Sequence, residues 1–224
     1  MQISLLRKCS LAALLFALSF VLLPSQSADA NADHCCGRIT PAGHRLASLL
    51  DESNVESLWL AHQHVNWETG EPDRGENYTG PGTHTHCSAF AASIAKRLGV
   101  YLLRPPEHGQ VLLANAQVEW LRGEEARAKG WHPVSDARAA QEEANRGSLV
   151  LAVFANPDKH KPGHVAIVRP SEKSMRELEH DGPQIIQAGQ HNHISTALRI
   201  GFASHPGAFP HGVRYYAHDL DLPR

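Results

Sequence analysis

The chain has 224 residues, with 21 Lys and Arg against 23 Asp and Glu, and a formal net charge of −2 at neutral pH. Without a basic excess there is no electrostatic footprint for nucleic acid. Sixteen histidines are scattered along the chain and are read as mostly solvated.

The first residues read as a targeting segment. Arg7 and Lys8 precede an apolar run from Leu11 to Leu23, and Ala28-Asp29-Ala30 follows with small residues at a signal-peptidase spacing. The apolar run is shorter than the ~20 residues that span a bilayer. Residues 1–30 are therefore expected to be a cleaved signal peptide, and 31–224 a single exported domain, periplasmic or secreted, without stable membrane insertion. Cleavage leaves Cys35, Cys36 and Cys87, an odd number for an oxidising compartment. Cys35 and Cys36 can form a vicinal disulfide, pair with another chain or stay in a mobile tail, which makes them dispensable for chemistry. Cys87 has no obvious partner.

Arg45 to Gln63, with Leu46, Leu49, Leu50, Leu58 and Leu60, reads as one helix or two. Asn66 to His86 is rich in Gly and Pro and lacks apolar periodicity, as a functional loop does. From Ser88 the pattern is helical: Phe90, Ile94 and Leu98 repeat on one face, and Gly99 stands where the helix should stop. Val111 to Leu121 reads as a second helix with Leu112, Ala116 and Trp120 inward. Ser135 is read as the cap of a third, Asp136 to Asn145, ending before Gly147. Strands are expected at Leu149–Ala155, Val165–Val168, Ile185–Ala188, Leu198–Phe202 and Val213–Ala217. Helices first and strands afterwards predict an α+β fold with an antiparallel sheet.

Cys87 opens the first of these helices, where partial positive charge and unpaired N–H groups favour a thiolate and can hold an oxyanion. Its polar flanks, His86 and Ser88, distinguish it from a cysteine that packs as a small hydrophobe. His164 opens a strongly apolar strand, Gly163-His164-Val165-Ala166-Ile167-Val168, and is the candidate base. Gln187 lies inside another apolar run, where its amide needs a partner. An imidazole Nδ1–H is the expected one, with Asn192 as the alternative orienter.

In this order the residues resemble the papain-like fold, and most closely the NlpC-type and CHAP amidase and peptidase families. The segment "NYTGPGTHTHCSAF" is similar to the NlpC-type stretch that leads into the nucleophile, and "GSLVLAVF" through "GHVAIV" to its strand pair. The resemblance covers roughly residues 76–190. It implies Cys87 as nucleophile, His164 as base and Gln187 as the third polar residue. It also implies Tyr78, His86 and Ser88 on the substrate and oxyanion side. Two departures stand out: His86 replaces the acidic residue that often precedes the cysteine, and Gly99–Gly147 is longer than in a minimal fold. The implied activity is a cysteine-dependent amidase or peptidase acting on the peptide part of peptidoglycan, a thiol hydrolase whose chemistry requires no cofactor. Two other readings stay open. One is a zinc site from His84, His86, Cys87, His191 and His193, and the other is a non-catalytic cell-wall-binding module on the same fold.

Overall fold

The structure is a computed structural model that describes residues 35–222. The proposed signal segment, residues 1–30, lies outside the described residues. Among the described residues, seven helices accompany a six-stranded antiparallel sheet, an α+β architecture, and no helix is long and apolar enough to cross a membrane.

Helix α1 (Pro41–Asp51) starts with proline at its first turn and Thr40 as its cap, whose Oγ1 accepts from the Gly43 N–H. It is shorter than the leucine pattern suggests. Asn54, Trp59 and His62 all adopt positive φ, which no α-helix tolerates. Leu58 and Leu60 therefore lie in turns that drive Trp59, fully buried, into the core.

Helix α2 (Cys87–Arg97) is buried along almost its whole length and stops at Gly99, whose φ of +74° suits glycine. Helix α3 (Leu113–Arg122) buries Leu113, Ala114, Gln117, Val118 and Leu121, not the face through Leu112, Ala116 and Trp120. Leu112 takes a left-handed φ of 56° and stands outside the helix, so the inward face begins one residue later. A short helix α4 (Glu124–Ala128) and strand β1 (His132–Val134) follow. Helix α5 (Ala137–Arg146) is capped by Asp136, whose Oδ1 accepts from the Ala139 N–H. Ser135 only donates its hydroxyl to the Asp136 carboxylate.

The remaining elements are β2 (Leu149–Phe154), β3 (His164–Val168), α6 (Met175–Asp181), β4 (Gln184–Gln187), β5 (His193–Ala197), α7 (Leu198–Gly201) and β6 (Arg214–His218). The sheet order is β1-β6-β2-β3-β4-β5. The stretch Leu198–Phe202, expected as a strand, is helix α7 and its cap. Leu198 and Phe202 are four residues apart and both fully buried, a helical spacing.

The two central strands are buried on both faces, which explains their unbroken apolar character. Leu149, Leu151, Val153, Val165 and Ile167 join the core with Phe90 and Ile94 of α2. Val150, Ala152, Phe154, Ala166 and Val168 join a second core with Ala140 and Ala144 of α5 and with Leu198 and Phe202. Cys87 therefore arrives from one side of the sheet, at the mouth of β3.

Cys35 and Cys36 form a vicinal disulfide and are not a loose tail. Both are buried against Leu178, with Met175 nearby. The Cys35 N–H donates to the Lys173 carbonyl, and the Asn145 amide donates to the Cys36 carbonyl.

Candidate active site

Cys87 is the first residue of α2 and only 4% exposed. The side chain of His86, the cap residue, makes no hydrogen bond to the first turn. Burial pushes the thiol pKa up, because a thiolate there loses its hydration. Hydrogen bonds from the Val165 and Ser88 N–H groups and the Ser88 hydroxyl work the other way without prevailing. The helix start therefore does not yield the resting thiolate expected from sequence, because burial outweighs it.

Val165, whose backbone N–H reaches the sulfur, follows His164, the first residue of β3. Strand pairing sets His164 opposite Phe154. Gly163 allows that close approach: a Cβ there would lie 2.2 Å from the Phe154 carbonyl oxygen. The His164 ring, 3% exposed, has its Nε2 2.7 Å from Gln187 Oε1. The amide nitrogen of Gln187 donates to the His191 carbonyl at 3.3 Å, which turns Oε1 towards the imidazole. An amide oxygen only accepts, so Nε2 carries the proton and Nδ1 keeps a free lone pair. The partner nitrogen is Nε2, not the Nδ1 expected from sequence.

Burial holds the His164 pKa down at about 4, and the Gln187 bond opposes this only partly. At neutral pH the site pairs a thiol with a neutral imidazole. Among the described residues no hydrogen bond joins Cys87 to His164. The two groups face adjoining cavities that share His84, Thr85 and Pro162 as walls. The cavity at Cys87 has a volume of about 320 Å³, and the one at His164 and Gln187 about 560 Å³.

Ser88 lines the Cys87 cavity as expected. Its carbonyl is held by Gln117, a buried amide of α3 that also bonds the Leu103 carbonyl. Tyr78 and His86 are not part of the site. Tyr78 is exposed; its hydroxyl donates to the Pro81 carbonyl and its ring packs against His64, because the Gly80-Pro81 turn folds it onto its own loop. His86 is buried and directs Nε2 to the Gln63 carbonyl at 2.9 Å. Its pKa is lowered chiefly by burial.

Asn192 is committed elsewhere. Its amide nitrogen donates to the Val55 and Leu58 carbonyls at 2.7 and 2.8 Å and reaches the Trp59 carbonyl, while its oxygen accepts from the Gly189 N–H. Of the residues considered for zinc, His84, His191 and His193 line the His164 cavity, while Cys87 lines the neighbouring one. Among the described residues no three His, Cys, Asp or Glu side chains are grouped to hold a metal.

Three residues around His164 escape sequence reasoning: Gly201, Phe202 and His205. A Cβ on Gly201 would lie 2.5 Å from Gln187 Oε1, so only glycine lets α7 close over that amide. Phe202 and His205 pack directly on the imidazole. The only signal for them is the "GFASH" run, obscured by reading its start as a strand. No protein-family model matches the chain, and no curated protein matches it.

Proposed function

We propose that this protein is an exported cysteine-dependent amidase or peptidase of papain-like architecture, resembling the NlpC-type and CHAP enzymes. The observation that carries the reading is the Gln187–His164 hydrogen bond, which fixes the tautomer that leaves Nδ1 unprotonated beside the strand start contacted by Cys87. A buried amide spent on one imidazole tautomer is what a general base needs and what a packing histidine does not.

In this reading Nδ1 takes the thiol proton as Sγ attacks the substrate carbonyl. The N–H groups at the start of α2, those of Cys87 and Ser88, receive the oxyanion. The imidazolium then gives its proton to the leaving amine, and water cleaves the thioester with Nδ1 again as base. Burial of both groups keeps the pair neutral until substrate fills the cleft.

The Cys87 cavity bears on what is cut. Val111, Leu112, Leu113, Ala114 and Pro162 supply much of its wall, and among the described residues no Asp, Glu, Lys or Arg lines it. It suits a neutral, apolar group beside the scissile amide, within the peptide portion of peptidoglycan.

The buried thiol is the one observation that favours a non-catalytic module of the same fold. Mass spectrometry of peptidoglycan digested by wild type and by Cys87→Ala separates the two. New amine and carboxyl ends from wild type alone support the enzyme. Identical digests overturn the enzyme reading.

A further inference from the structure

The turn after α7 lays two rings against His164. Phe202 presents its edge, with centroids 4.6 Å apart and planes at 74°. His205 stacks nearly parallel, at 4.8 Å and 20°. His205 is itself held: Ser204 Oγ lies 3.1 Å from its Nδ1, the Gly163 backbone bonds its ring, and Phe154 of β2 touches it edge-on at 6.2 Å.

A single hydrogen bond to Gln187 fixes one point of the His164 ring but leaves the ring able to swing about it. The adjoining cavity of about 560 Å³ offers room for that swing. A planar face stacked on the ring removes this freedom. Resting on the reading of His164 as the base, we propose that His205 is a positioning residue. Its stacked ring confines the His164 imidazole to the plane in which Nε2 meets Gln187 and Nδ1 stays open to the sulfur.

The chemistry of the surroundings fits a steric and aromatic role. The groups around the pair are Gln187 from β4, Phe154 from β2, Phe202 and Ser204 from the turn after α7, and His84, His191 and His193 lining the same cavity. Among the described residues no Asp, Glu, Lys or Arg lines that cavity to compensate a charged His164–His205 pair. Both rings are therefore neutral at working pH, and what His205 contributes is its face. Burial, and then the charge His164 would carry, hold the His205 pKa down at about 4.

The test compares His205→Leu, which fills the volume without a planar face, with His205→Phe, which restores the face. The probes are turnover of peptidoglycan and the imidazole nitrogen signals of His164 at neutral pH. His205→Leu should lower kcat roughly 10-fold with KM within about 2-fold, and His205→Phe should recover most of it. In the spectra, wild type and His205→Phe should show His164 as one tautomer with Nε2 protonated, and His205→Leu an averaged pair of signals. The spectra need no activity, so they decide the positioning role even if wild type cleaves nothing. Unchanged His164 signals in His205→Leu overturn the proposal, as does averaging in His205→Phe.

Discussion

His86 and His164 are both buried imidazoles, set on different kinds of structure. His86 precedes α2 at the end of a long loop and gives its ring to the backbone of Gln63, with Leu60 also in reach. His164 is mounted on a paired strand and gives its ring to a side chain, Gln187, that is in turn held by the His191 carbonyl. The first ring is a strut between two loop segments. The second is oriented by a buried side-chain amide, which leaves its other nitrogen free. A histidine's partner therefore discriminates its role better than its burial does.

The same comparison separates Gln187 from Asn192, and breaking it should give the largest effect. Gln187→Ala is expected to lower kcat roughly 10- to 1000-fold with little change in KM, since it removes an orienting bond and no substrate contact. Asn192→Ala should spare kcat and cost about 1–3 kcal/mol of stability, because the Val55 and Leu58 carbonyls lose their donor. Steady-state kinetics and urea unfolding on both variants check this. A reversed ranking would make Gln187 the strut.

The strand-mounted half of the site was legible in the sequence. An apolar strand opening with Gly-His and another with an embedded amide leave little choice of place, because pairing fixes each residue's position. The loop-mounted half was not. Tyr78 and His86 rest on the family resemblance alone, and a loop turns side chains wherever its own hydrogen bonds direct. Helix α7 was missed because four residues from Leu198 carry too little pattern to tell a helical turn from a strand. With it went Gly201, Phe202 and His205. The burial of Cys87 was equally illegible, since it depends on α3 and the β2–β3 connection closing over a helix start.

Burial of the site histidines also predicts a pH dependence of folding, a smaller effect that sharpens the contrast with solvated histidines. His164 and His205 hold pKa values of about 4 in the native state, against the ordinary ~6.5 of an unfolded chain. Between those limits the unfolded state binds protons that the native state refuses, so stability falls as pH drops from ~6.5 to 4. For His164 alone the loss is of the order of 2–3 kcal/mol. Urea midpoints at pH 7 and pH 4.5 should differ accordingly, and His164→Gln combined with His205→Phe should shrink the difference, leaving the part due to buried His86. An equal loss in that double variant would assign the effect to other groups.

The smallest expected effect is at the vicinal disulfide, which is buried but lines neither cavity of the site. Cys35 and Cys36 pack against Leu178 at the start of the described chain. The Cys36 carbonyl is one of three backbone acceptors of the Asn145 amide nitrogen, with those of Gly37 and Ser171. These bonds use backbone atoms, so replacing both cysteines by serine leaves the groups in place. A disulfide stabilises mainly by restricting the unfolded chain, and more so the longer the loop it closes; adjacent residues close almost none. What remains is the loss of two small buried sulfur groups, about 1 kcal/mol in all. Cys35→Ser with Cys36→Ser should therefore lower Tm by a few degrees and leave turnover within about 2-fold of wild type. A loss of turnover as complete as that of Cys87→Ala would move the nucleophile to this end of the chain.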